Sequence, residues 1–162
     1  PITTLFRSLA EASQDETVRL EIWRDDELKS LDVRTEVLDG RSADRVVQWA
    51  GALLQEPYRE LARQRGIEPT GVYVAYFNYG SPATRYGLWA GRRVVEVNGQ
   101  PTPDLDAFLG VVARAEDRES LRITTLDWND APQVITLKLD KQYWRGFSVH
   151  YEDGGWQRAT LD

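Results

Sequence analysis

Cysteine and methionine are both missing from this 162-residue chain, and histidine occurs once. Without cysteine there is no disulfide framework, no thiolate metal site and no thiol nucleophile. One histidine among scattered carboxylates argues against a transition-metal centre, so neither metal nor cofactor is expected. No apolar run approaches the roughly 20 residues that a membrane-spanning helix needs, and membrane insertion is not expected. A basic face is lacking too. The net charge is −6 and the arginines are interleaved with acids, which removes the electrostatic footprint of a nucleic-acid partner. Pro1-Ile2 shows neither the basic start nor the apolar middle of a secretory signal. With no initiator methionine either, the sequence reads as an excised portion of a longer protein.

What is present is ordinary for a globular chain: 41 % hydrophobic and 28 % charged residues. That length and composition suit one domain plus a piece of another. Ile2, Leu5, Phe6, Leu9 and Ala12 fall on one helical face. Val18, Leu20 and Ile22 then alternate with polar residues, Arg24 to Glu27 reads as a turn, and Leu31, Val33, Thr35 and Val37 continue the alternation. The same order returns roughly 100 residues downstream as Leu105, Phe108, Leu109, Val112 and Ala115, then Leu121, Ile123 and Thr125, then Ile135, Leu137 and Leu139. Register held over that many positions favours duplication over a common helix–hairpin pattern matched by chance.

Residues 1–38 are therefore expected to be the C-terminal part of a preceding module, 39–140 a complete module, and 141–162 an extension. The extension carries Tyr143, Trp144, Phe147, Tyr151 and Trp156, a density that predicts packing on the module or a neighbour. A hairpin cut from its module is marginal by itself, so 17–36 is expected to pair with the second module or another copy.

Between the repeats, Val46, Val47 and Trp49 predict a short strand leading into Ala50-Gly51-Ala52-Leu53-Leu54-Gln55. A helix is expected from Pro57 to Gly66, with Leu61 and Ala62 on its apolar face. Val72, Val74 and Tyr76 make the next strand. The stretch GSPATRYGLWAGRRVVEVNGQ, Gly80–Gln100, is heavily punctuated: Ser81-Pro82 caps a single helical turn, Gly87 closes it, Gly91 bends, and Asn98-Gly99 turns after the strand Val94–Val97. Asp104 caps a helix from Leu105 to Ala115, and Gly110 inside it either admits a close neighbour or is merely tolerated.

Gly80-Ser81-Pro82-Ala83, Gly87-Leu88, Gly91, Val94-Val95 and Val97-Asn98-Gly99, in that order and spacing, resemble the PDZ modules of HtrA/Deg-type serine proteases. A closer resemblance is to the large, internally duplicated HtrA-like proteases of fungi and plants and their bacterial relatives. It is carried by Gly51-Ala52, Leu61-Ala62-Arg63, Arg85 to Leu88, Thr102 to Phe108, Leu137 to Asp140 and Tyr143-Trp144. Arg92 departs from it, standing where such modules usually have aspartate. The fold implied is α+β, mainly β: a PDZ-like, partly open β-barrel or sandwich with two helices and HtrA-type strand order, preceded by the helix–hairpin end of a second PDZ.

By that resemblance the chain binds peptide or protein C-termini with apolar side chains as an added strand. The carboxylate loop would be Trp49, Ala50, Gly51 and Ala52; the peptide-pairing edge strand Ala52, Leu53, Leu54 and Gln55; the groove helix Leu105, Phe108, Leu109 and Val112. Further partners implied are the protease domain of the same protein and a homo-oligomer contact. The competing reading makes Leu53, Leu105, Phe108 and Val112 core, and the module a structural or interdomain element with a blocked groove. Catalysis is not expected from the chain itself. Ser148 and His150 point the same way on an extended segment, but no glycine-rich oxyanion setting accompanies them. The parent protein would be a trypsin-like serine endopeptidase, placed by the resemblance in a bacterial periplasm or cell envelope.

Overall fold

A computed structural model describes residues 17–35 and 43–161. The chain divides into one unit from Pro1 to Arg41 and another from Ser42 to Asp162. The helix expected over residues 2–12 lies outside the described residues.

In the first unit, β1 (Thr17–Arg24) and β2 (Glu27–Arg34) pair antiparallel around a two-residue turn. Asp25 and Asp26 both take positive φ there, 57° and 59°, the backbone that two-residue hairpin loops require. Val18 and Leu20 face Val33 and Leu31 across the ladder. Among the described residues this hairpin is a two-stranded sheet of its own.

The second unit builds a single sheet of nine strands. They are β3 (Arg45–Trp49), β4 (Ala52–Gln55), β5 (Val72–Phe77), β6 (Arg93–Val97), β7 (Gln100–Pro101), β8 (Ser120–Leu126), β9 (Pro132–Lys138), β10 (Gly146–Glu152) and β11 (Gly155–Leu161). The order across the sheet is β11-β10-β3-β4-β5-β6-β8-β9, with β7 paired to β6. Three helices accompany it: α1 (Arg59–Arg65), α2 (Pro82–Tyr86) and α3 (Leu105–Val112). The fold is mainly β, and the single capped turn expected after Ser81 closes into α2 beside the two longer helices.

The core follows the strand period. Leu54, Val72, Val74, Val94, Leu121, Ile123 and Leu137 are fully buried on one side of the sheet. Leu105, Phe108 and Val112 lie within one helical stripe of α3 and are buried against them. α1 starts at Arg59 behind an N-cap at Tyr58, two residues later than expected, and Gly66 closes it at φ 66°. α3 ends at Val112, although Ala115 beyond it is still buried.

The punctuated stretch folds as its residues dictate. Ser81 Oγ accepts the Thr84 amide at 3.4 Å, Pro82 opens α2, and Gly87 at φ 86° ends it. Leu88 then drops into the core. The bend at Gly91 is tied to β5 by backbone alone: the Gly91 amide donates to Val74 O at 2.9 Å and the Val74 amide to Arg92 O at 2.8 Å. Those two bonds fasten the loop despite the missing aspartate. Arg92 reaches Thr125 Oγ1 at 3.3 Å. The buried Arg93 guanidinium donates to the carbonyls of Glu68 and Thr70 at 2.9 and 3.0 Å and to the Asp130 carboxylate. In the β8–β9 turn, the amides of Asn129 and Ala131 donate to Asp127 and hold its carboxyl below the ordinary range.

The two hairpins are equivalent pair for pair. Val18↔Val33 and Leu20↔Leu31 in the first occupy the places of Leu121↔Leu137 and Ile123↔Ile135 in the second. Leu31 and Val33 are 45 % and 40 % exposed, whereas Ile135 and Leu137 are 8 % and 0 %. The first hairpin thus carries the apolar pattern of a core strand pair.

Two neighbouring positions on α3 separate packing from propensity. Phe108→Ala is expected to destabilise the second unit by about 3–5 kcal/mol, the loss usual for truncating a buried phenylalanine. Gly110 is exposed and a Cβ there would meet nothing within 4 Å, so Gly110→Ala is expected to stabilise by about 0.5–1 kcal/mol. Urea midpoints of the two variants against the parent chain check both signs.

Candidate peptide groove

The residues expected to hold a peptide lie around one tight turn. β3 runs into Ala50 and Gly51, which take φ 51° and 81°, and β4 returns antiparallel with Trp49 opposite Ala52 and Val47 opposite Leu54. Positive φ at both central residues is the backbone of a two-residue hairpin loop. Three donors from the segment around α2 clamp it. The Asn78 amide and its Nδ2 donate to Gly51 O at 2.8 and 3.1 Å, and the Ala83 amide donates to Ala50 O at 2.9 Å. A Cβ on Gly51 would lie 2.2 Å from Ser81 Cβ and 2.9 Å from Trp144 Cε3. Only glycine fits between them.

The expected edge strand is therefore not an edge. β4 pairs with β3 on one side and with β5 on the other. The expectation of an open pairing strand at Ala52, Leu53, Leu54 and Gln55 is corrected, because the preceding five residues fold back onto it. β3 also touches the groove helix. Trp49 packs edge-on against Phe108 with ring centroids 5.2 Å apart, and Arg45 forms an ion pair with Asp106 over 2.5 Å.

The helix residues divide. Leu105, Phe108 and Val112 are core, whereas Leu109 is half-buried. On β4, Leu54 is core and Leu53 faces the other way, opposite Tyr76. Trp49, Ala50, Leu109 and Val112 do share one feature, a cavity of about 380 Å³ beside the turn. Its remaining wall comes from Ala113, from Leu139 to Lys141, and from Trp144, Arg145, Gly146 and Leu161.

Trp144, Arg145, Gly146 and Leu161 belong to the extension, which builds a hairpin of its own. Asp153 and Gly154, at φ 50° and 83°, turn β10 back into β11, and β10 pairs with β3 from Phe147↔Gln48 to His150↔Arg45. The signal was present, since Asp-Gly between alternating residues is a strong hairpin mark. Trp156 at the end of the hairpin is 56 % exposed and stacks edge-on with Tyr151 at 5.4 Å. Ser148 is buried in the sheet, and His150 Nε2 lies 3.2 Å from Glu152 Oε2.

The PDZ-like domain family matches residues 42–118. This region is a PDZ-like domain. Protease Do-like 7 of Arabidopsis thaliana is 40 % identical over 152 residues, 91 % of this chain and 14 % of the relative. Pro-apoptotic serine protease NMA111 of Candida glabrata is 33 % identical over 126 residues, 78 % of this chain and 13 % of the relative. A solved HtrA-type protease, AlgW with a decapeptide, shares 26 % identity at a TM-score of 0.51, over 59 % of this chain and 29 % of that one. The chain thus spans only a small part of the length of these proteases.

The clamp makes Gly51 the sensitive position of the PDZ-like unit. Gly51→Ala combines a left-handed φ, costing roughly 1–2 kcal/mol for a residue with a Cβ, with overlap against Ser81. A loss of more than about 2 kcal/mol is expected, and thermal unfolding of the variant checks it. Ser81→Gly should recover part of that loss by removing the nearer obstacle.

Proposed function

We propose that this chain is a non-catalytic PDZ region of an HtrA-like serine protease, serving as a structural and interdomain module whose peptide groove is filled by its own strand β3. The observation that carries the reading is the double pairing of β4. A peptide bound by β-augmentation needs free backbone groups along one edge, and along β4 that edge is taken by Arg45–Trp49. The antiparallel direction of β3, its Trp49 against Phe108 and its Arg45 against Asp106 support the assignment of β3 as an internal substitute for a ligand strand. In the whole protein such a module would position the protease domain rather than select substrates. Catalysis would reside elsewhere in that longer chain.

A second reading is supported by the likeness to an HtrA-type protease solved with a decapeptide. In it, β3 withdraws and an apolar C-terminal peptide takes its place between β4 and α3, regulating the protease.

Cross-strand proton contacts between Val47 and Leu54 separate the two. Titrating the chain with a library of apolar peptides bearing free C-termini is expected to leave those contacts, and the amides of Leu53 and Gln55, unchanged. A peptide that binds saturably while abolishing the Val47–Leu54 contact would sink the self-filled groove and establish the displaceable one.

A further inference from the structure

The extension leaves the sheet with one unguarded edge. β11 is the terminal strand beside β10, and among the described residues no strand pairs with its other side. The opposite edge strand, β9, opens on Pro132 and ends on Lys138, residues of the kind that blunt a strand edge. β11 reads Gly-Trp-Gln-Arg-Ala-Thr-Leu, without proline or lysine, and keeps an unbroken register with β10 from Gly155 to Leu161. Trp156 to Thr160 are all exposed.

Which backbone groups face that edge is decided on the inner side of the hairpin. The Tyr151 amide donates to Asp44 O at 2.8 Å, toward the start of β3. Tyr151 therefore turns its backbone away from β11. Trp156 opposite it belongs to a non-hydrogen-bonded pair, and its own N–H and C=O point outward. Alternation along the strand puts the backbone groups of Trp156, Arg158 and Thr160 on the open edge and those of Gln157 and Ala159 toward β10. Such a row of outward groups is a template for one more strand.

The side chains select the strand. When two copies pair antiparallel about a two-fold axis, one residue stands opposite itself. Centred on Arg158, two guanidinium groups would face each other, and like charges directly opposite destabilise a ladder. Centred on Gln157, Trp156 of one copy lies opposite Arg158 of the other, and the symmetry makes that contact twice. A guanidinium is attracted to an indole face, and Arg158 already lies over an aromatic ring of its own copy, 4.0 Å from the Phe147 centroid. The edge is thus complementary to itself in one register.

We propose that two copies of this chain associate through β11, antiparallel and centred on Gln157, so that the sheet of one copy continues into that of the other. Gly155 to Ala159 of each copy pair across the axis, outside the groove at β4. An interface of that length belongs with small, transient contacts.

Sedimentation equilibrium of the 162-residue chain at concentrations up to about 1 mM is expected to show the mass rising from 18.5 kDa toward twice that value. Hydrogen exchange reads the register. The amides of Trp156 and Arg158 should slow as concentration rises, whereas those of Gln157 and Ala159, bonded within the hairpin, should not change. Arg158→Pro removes an outward N–H that β10 does not use, and is expected to abolish the dimer while Gln157 and Ala159 stay protected. Arg158→Glu keeps that N–H but loses the cation, and is expected to weaken the dimer by about tenfold. A chain that stays monomeric over the whole range, a dimer that keeps its strength in both variants, or a dimer whose Trp156 and Arg158 amides exchange as in the monomer would overturn the proposal. Protection of those two amides in the monomer would place another segment of the same chain on the edge, and would overturn it equally.

Discussion

The clamp on the Ala50–Gly51 turn is the constraint from which the rest of the PDZ-like unit follows. Three donors from the Asn78–Ala83 segment hold its two carbonyls, and the absent Cβ of Gly51 lets that segment close to contact. A turn held in this geometry sends the chain straight back, so β3 has no course except along β4. Once β3 lies there, its outer edge is available to β10. The extension becomes part of the sheet, Trp144 is brought against Gly51, and a cavity forms between the extension and α3. The double pairing of β4, docking of the extension and the cavity are thus successive consequences of one small turn.

This arrangement gives the punctuated stretch at Gly80–Gln100 a definite task. The N-terminus of α2 supplies an amide to the turn, and Ser81 sets how close that turn can come. The two hairpins tell a parallel story about duplication. Their registers agree pair for pair, yet in one copy the inward pattern is buried and in the other it is half-exposed. Pairing register is a local property of turn and alternation, whereas burial depends on what the rest of a module brings.

Much of the fold was legible in the residues. Ser81-Pro82, Gly87, Asn98-Gly99 and Asp104 each act through covalent geometry or a hydrogen bond to a near neighbour, and each is found where its chemistry predicts. The alternation of Leu121, Ile123, Ile135 and Leu137 and the stripe on α3 likewise report which side is core. The hairpin between β3 and β4 was harder to read, since alanine rarely supplies the positive φ that a two-residue loop needs. Ala50 adopts it because two flanking strands and the clamp hold it there. The Asp153-Gly154 turn could have been recognised, but nothing local says that the strand before it pairs with β3, more than ninety residues upstream.

The sequence by itself determined the order of strands and capped helices, the matching pattern of the two hairpins and the lack of cysteine chemistry, because periodicity, caps and composition act over a few residues. Only the tertiary structure decided that β4 is paired on both sides and that the extension closes a cavity against α3. Both are relations between segments far apart in the chain. Strand pairing uses backbone groups that every residue carries, so the identity of β4's partner is written in no motif and emerges only when the whole sheet is assembled.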